Sequence, residues 1–420
     1  MLKIDGHGYS PTILYRILHM AGVTSSFDVA EVALKVVGEI EISDRQINKL
    51  TSEMGQEMAA ERDVRTQAYV DQPLPRKPAQ VDVPVDLAAV FCDGGRMRTR
   101  QADQGRGIHQ PHWRETKNAA FHRMQSRSFE EDPQPDLPDC FRNQAYVKKL
   151  INGLKSLKNE GREGDGDVEQ STAAGAATNE MSARKSPPWQ PETLFRTCIS
   201  SLASSDEFGA MMAAEADARG FFTARKQAFL GDGLGYNWSI QQRWFPEFVP
   251  ITDFVHAVEY AYTAAKAIHT DASLRWQQYL KWVNACWQGR VHDVVEELHS
   301  WQSPLGPLPE GLQIPDSDPR KIMQAAARYL TNNRSRMDYP RYRRAGLPVT
   351  SSLAESLVKQ VSKRVKGTEK FWNDGPSGEA ILQVRAAVIS NGDRLQEWIC
   401  NRPVSPLSPR CRRIPQASSA

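Results

Sequence analysis

The sequence predicts an α/β fold, a mixed sheet flanked by helices, with a helical region in front and an all-helical block within. Three observations predict it. The apolar run 87–92 stops at Asp93, with two glycines behind it, and the run 228–230 stops on Gly231-Asp232-Gly233. Two strands that end alike read as a parallel pair. Residues 11–63 carry apolar side chains at helical spacing, and so do residues from 254 to about 330.

In the first region Ile13, Ile17, Met20 and Val23 mark one helix. Val29, Val32, Ala33 and Val36 mark a second, broken at Gly38, and Ser43 or Asp44 caps a third carrying Ile47, Leu50 and Met54. Helix, short turn, helix fits a helix-turn-helix, and it equally fits any small helical bundle. Residues 71–86 are proline-rich and read as a linker. LAAVFCD is a strand, 112–124 supply one or two more, and the acidic, proline-broken stretch 130–139 is a loop. Residues 154–187 are polar, with almost nothing to bury, and are expected to be disordered. A helix-rich stretch is expected from Pro191 to about Gly220. After it come the strand KQAFLGD, a short helix NWSIQQRWF and a strand PEFVPITDF. Trp276, Trp282, Trp287 and Trp301 mark the helical block as large core residues. A helix over 352–366, the segment FWN, a last helix from Ala380 to Trp398 and a disordered tail from 401 complete the chain. The predicted division is 1–70 helical, 71–86 linker, 87–254 sheet domain, 255–345 helical insertion, 346–400 second part of the sheet domain, and 401–420 tail.

The bulk numbers exclude several classes. With 40% hydrophobic and 25% charged residues the chain is an ordinary globular sequence, and its 420 residues suffice for two or three domains. A net charge of +3 means that any nucleic-acid surface must be local. The six cysteines contain no CxxC pair, which argues against a zinc ribbon and a disulfide framework. No stretch approaches a membrane span and no secretory h-region opens the chain, so a cytoplasmic protein without a membrane partner is expected.

The acids carry the chemistry. At the carboxyl ends of two parallel strands, Asp93 and Asp232 would present two carboxylates to one spot, and such acids repel unless a cation neutralises them. All-oxygen donors suit Mg²⁺ or Mn²⁺, and a two-ion site drives in-line phosphoryl transfer. Against this, Asp-Gly after a strand is also ordinary turn chemistry. Glu355 stands with Lys359, Lys363 and Lys366 on one helix face, opposite Leu353, Leu357, Val361 and Val365. That face suits an acid at a phosphate-cutting site, with lysines on flanking phosphates. It also suits a capping box, since Ser352 lies three residues before Glu355, with a solvated lysine face. Asp253 and His256 form a DxxH pair where a metal role competes with helix capping. The stretch RSRMDYPRYRR holds Arg334, Arg336, Arg341, Arg343 and Arg344 with two tyrosines. Arginines suit phosphates and tyrosines suit bases, while the alternative is a plain surface loop.

Taken together, VFCDGGR, PHWRETK, FLGDG, FPEFVPITDFVHA, ACWQGR and the run from Asn332 to Asn373 resemble bacterial insertion-sequence transposases of the ISKra family, related to the ISL and Mutator-like groups. The resemblance covers about residues 25–400, apart from 154–187. It implies an RNase H-like catalytic core, a DDE triad and a divalent metal. By position the triad falls on Asp93, Asp232 and Glu355, with Asp253 as the rival second acid and His256 beside it. The implied activity is metal-dependent cleavage and strand transfer of double-stranded DNA, at transposon ends and target, by a homo-oligomer that is nucleoid-associated when bound. Relatives begin with a longer N-terminal region that often bears zinc-ligand cysteines. Its lack raises the alternative of a truncated or domesticated copy that binds DNA without catalysis.

Overall fold

The computed structural model describes residues 8–79, 81, 84–100, 112–159, 188–309, 314–351, 357–366, 370–373 and 375–402. It opens with α1 (Pro11–Val23), α2 (Phe27–Gly38) and α3 (Asp44–Val70). Serine caps all three: Ser10, Ser26 and Ser43 accept from the backbone N–H of Ile13, Val29 and Gln46. β1 (Leu87–Arg100), β2 (His112–Gln125), α4 (Asp139–Arg142), α5 (Gln144–Asn159), β3 (Glu192–Ser201) and α6 (Ser205–Ala218) follow. Then come β4 (Lys226–Gly231), α7 (Gly235–Trp244), β5 (Val249–Thr252), α8 (Phe254–Ile268), α9 (Ala272–Trp287), α10 (Val291–Leu305) and α11 (Pro319–Asn333). The chain closes with α12 (Tyr339–Arg344), α13 (Leu357–Val365), β6 (Trp372–Asn373), α14 (Pro376–Ile389) and α15 (Arg394–Asn401).

The sheet is mixed, in the order β3-β2-β1-β4-β5, with β6 beside the far end of β1. β1, β2 and β3 are antiparallel; β1, β4 and β5 are parallel. Alternation along β1 sends Leu87 and Ala89 into a core shared with α8–α11. Ala88, Val90 and Cys92 point the other way, into a core with α6 and α7. Two expectations are corrected here. β1 does not end at Asp93 but runs on to Arg100, because β2 stays paired with it after β4 has left. Residues 192–201 are strand rather than helix. Thr193, Phe195, Thr197 and Ile199 favour a pleated strand, and the helix starts only after Ser204, which forms a capping box with Glu207.

The N-terminal helices are not a separate module. Leu14, Ile17, Leu18, Leu34, Leu50 and Met54 share one core with Val384, Ala387, Leu395 and Ile399. α3 crosses α14 at Gly55, where an added Cβ would lie 2.3 Å from the Ala380 carbonyl oxygen. Gly55→Ala is therefore expected to destabilise by about 1–3 kcal/mol, seen as a lower urea midpoint, because backbone cannot move aside as a side chain does. The outward face of α2 carries Val29, Val32, Val36 and Val37 exposed beside Asp28 and Lys35.

Of the four tryptophans expected in the core of the helical block, Trp282 and Trp287 are buried, while Trp276 and Trp301 are half-buried against it. The expected last helix is two helices, parted at residues 390–393 by Gly392 in a left-handed turn (φ 74°). α5 occupies the start of the polar stretch; residues 160–187 and the tail from 403 lie outside the described residues, so their expected disorder is left open. Among the described residues no helix is long and apolar enough to cross a membrane.

Candidate active site

The last paired residues of β1 and β4 are Cys92 and Gly231, and Gly231 pairs in turn with Thr252 of β5. The next residue on each strand is an acid: Asp93, Asp232 and Asp253. Three neighbouring parallel strands thus deliver three carboxyl groups to one end of the sheet, where α/β folds place their sites. Asp253 N–H donates to the Gly231 carbonyl oxygen at 2.9 Å, which ties the two strand ends together.

The three acids differ in what holds them. Asp93 accepts from the Gly94 N–H at 2.8 Å. Burial, then the neighbouring Asp232 carboxylate, push its carboxyl up to about 7. Asp232 accepts from Leu234 N–H at 2.9 Å and from Asn237 Nδ2 at 2.7 Å. Its backbone carbonyl receives the Tyr329 hydroxyl at 2.8 Å. Gly233 explains the glycine after this acid. It has φ 92°, and a Cβ there would sit 2.5 Å from the Tyr329 ring. Gly233→Ala is expected to cost about 2 kcal/mol and to misplace Asp232, checked by denaturant unfolding. Asp253 is buried and engaged. It caps α8 through Val255 N–H at 3.2 Å and accepts from the backbone N–H and hydroxyl of Ser351.

His256 sits beneath this set, with Nδ1 3.5 Å from Glu259 Oε2, both buried. Burial works against a charged ring, but Glu259 and the Asp232 and Asp253 carboxylates outweigh it and raise the imidazole to about 9. In this metal-free arrangement His256 is a counter-charge beside the carboxylates. Lys117, opposite Gly94 on β2, is the other cation here; its Nζ donates to Glu115 at 3.1 Å.

Glu355 lies outside the described residues. Both of its flanks are placed. Ser351 binds Asp253, and α13 begins at Leu357 and packs on the Asp93 face of β1. Gly95 allows that packing, since a Cβ would meet Thr116 Oγ1 at 2.7 Å and Val358 at 3.2 Å. Of the lysines, Lys363 is exposed, Lys359 and Lys366 half-buried.

The basic stretch 334–344 is not a loop but a turn followed by α12, and it divides in two. Arg334, Arg341 and Arg344 are exposed, and Arg336 lies over the Trp238 ring at 4.5 Å. Arg343 is corrected as a phosphate contact: it is fully buried, bonded to Asp132 and to the Trp287 carbonyl, and stacked on the Trp287 ring at 4.0 Å. Tyr339 and Tyr342 are core residues too, Tyr339 donating to the Thr252 carbonyl at 3.0 Å.

Lys117, Asn237, Glu259, Tyr329 and Ser351 escaped sequence reasoning. A lysine in PHWRETK was the one visible signal, since alternation along a strand beside Asp93 puts it opposite Gly94; the others arrive from distant segments. Among the described residues no group of three or more His, Cys, Asp or Glu side chains is arranged to hold a metal ion. The donor chemistry nonetheless suits a hard cation: burial and then the Asp232 carboxylate raise the Asp93 carboxyl to about 7, and a divalent ion would relieve the repulsion between the acids. Compared with known proteins, the chain matches no family model and no curated protein.

Proposed function

We propose that the chain is a DDE-type transposase with an RNase H-like core, cutting and rejoining double-stranded DNA. The observation that carries this reading is the placement of Asp93 and Asp232 beyond the last paired residues of adjoining parallel strands, with α13 packed across β1 on the Asp93 side. The sheet order, three antiparallel strands followed by two parallel ones, suits that core. Asp93 and Asp232, with Glu355, would hold Mg²⁺ or Mn²⁺, which when bound supplies charge neutralisation for in-line displacement at phosphorus. The chain's own part is positioning. Asn237 and Leu234 N–H aim Asp232, and the Gly233 turn is braced by Tyr329 of the helical block. Asp253 is assigned to structure, since its oxygens serve the α8 cap and Ser351. That leaves Asp232 as the second acid.

The test is strand cleavage and strand transfer on a duplex that carries the element's ends, with Mg²⁺ or Mn²⁺. Wild type should cut, Asp232→Asn should not, and Asp253→Asn should lose stability before chemistry. Tight duplex binding without any metal-dependent cleavage would instead favour the non-catalytic, DNA-binding reading. Assembly as a homo-oligomer on DNA belongs to the same proposal.

A further inference from the structure

We propose that the outer halves of β1 and β2 form a track for the phosphate backbone of duplex DNA, on the face of β1 opposite the Asp93 carboxylate. The identity of the ligand rests on the transposase reading; the surface itself rests on the following geometry. β1 leaves β4 after Cys92, and β2 is without β3 before Lys117. Residues 94–98 and 113–117 therefore run on past β3 and β4 as a two-stranded ribbon, which β6 joins at Thr99 and Arg100, with Arg96 opposite Glu115 and Arg98 opposite Trp113.

One face of this ribbon is fastened down. Met97 and Thr99 are buried, and Met97 packs with Val361 and Val365 of α13 and with Trp372. Alternation then puts Arg96, Arg98 and Arg100 on the opposite face, about 6.7 Å apart along the strand. Arg96 and Arg100 are exposed. Aromatic rings lie against three of the cations. The Arg98 guanidinium lies over Phe371 at 4.5 Å and Trp113 at 5.4 Å, Arg100 over Phe371 at 5.4 Å, and the Lys366 ammonium over Trp113 at 5.9 Å. The acid on this face, Glu115, is bonded to Lys117. A ribbon that only stabilised the fold would need Arg98 between its rings; it would not need two exposed arginines beside it.

A two-stranded ribbon has the width to enter the major groove of duplex DNA. Arg96 is three residues from Asp93, and alternation puts the two on opposite faces, so a duplex held here lies across the strand from the acids. The stretch 334–344, which composition favoured, gives up Arg343, Tyr339 and Tyr342 to the core and keeps Arg334, Arg341 and Arg344 outside; in the ribbon Arg96 and Arg100 are exposed and Arg98 is half-buried.

The experiment measures binding of a short duplex of arbitrary sequence by fluorescence anisotropy, without divalent metal, across a salt series. R96E/R100E is compared with wild type and with R341E/R344E, and R96Q/R100Q serves if charge reversal impairs folding. At about 100 mM salt the ribbon variant should bind at least tenfold more weakly, and the slope of log K against log salt should fall by about two. R341E/R344E should lose less. An unchanged slope and affinity in both ribbon variants, with wild type binding, overturns the track and leaves the transposase reading standing. A wild type that shows no salt-dependent duplex binding overturns the transposase reading itself.

Discussion

Asp93→Asn is expected to make the protein more stable above pH 7 and, on the proposed transposase reading, to abolish strand cleavage. Both effects come from one cause. The Asp93 carboxyl is raised from the ordinary aspartate value to about 7, first by burial and then by the Asp232 carboxylate. A carboxyl raised on folding holds a proton that the unfolded chain has released. Stability therefore falls as pH rises from about 4 to about 7 and stays low above that window. Asparagine keeps an oxygen for the Gly94 N–H but carries no charge, so the variant should gain about 2 kcal/mol or more at pH 8. It should also lose cleavage by about a thousandfold or more, the scale seen when one member of a catalytic set is removed. Mn²⁺ binding by the wild type should strengthen about tenfold per pH unit below about 7 and then level off, since the ion displaces one proton. Thermal unfolding and a pH series of metal titrations check this. A structural aspartate would show the opposite, a loss of stability, and that result would remove Asp93 from the site.

Glu215→Ala should be the most damaging single change to the fold. Glu215 of α6 is buried and accepts from Arg219 at 2.9 Å and from Arg394 of α15 at 2.9 and 3.1 Å. Burial opposes its charge, but Arg394, Arg219 and Arg65 outweigh that and hold the carboxyl down at about 2. A depressed carboxyl contributes stability that is present above its unfolded value, near 4.5, and is lost as pH falls through about 2. Alanine leaves two guanidinium groups facing each other without their anion, at an expected cost of about 3 kcal/mol. Glu215→Gln should cost less, and its deficit against wild type should shrink between pH 5 and pH 2 (roughly the titration window). Equilibrium unfolding in urea across that range is the measurement. A deficit that does not change with pH would mean that the ion pair contributes nothing to the balance.

Much of this fold was legible because local signals and packing agree. The strands carrying Asp93 and Asp232 are continuous apolar runs, as buried parallel strands must be, and Ser10, Ser26 and Ser43 stand where caps belong. β3 was missed because Glu192, Thr193 and Leu194 at its exposed start break the buried pattern. Arg343 misled for a different reason. Five arginines in eleven residues look solvated, yet whether one of them turns inward depends on Asp132, some two hundred residues away. The same distance problem hid Ser351 as a partner of Asp253 and Tyr329 as the brace of the Gly233 turn. The two aspartates were visible because each ends an apolar run; their supports were not, because long-range hydrogen bonds leave no periodicity.

The joint core of the first three helices and the last two bears on how the polypeptide comes off the ribosome. Gly22 lies against Val388, and Gly55 against Ala380, across more than three hundred residues. The segments made first must wait, with their oily faces unmet, until translation is nearly finished. Synthesis of the intervening stretch takes tens of seconds at common elongation rates, roughly 5–20 residues per second. A nascent chain arrested before residue 376 should accordingly be captured by chaperones through α1–α3, even after the central sheet has closed.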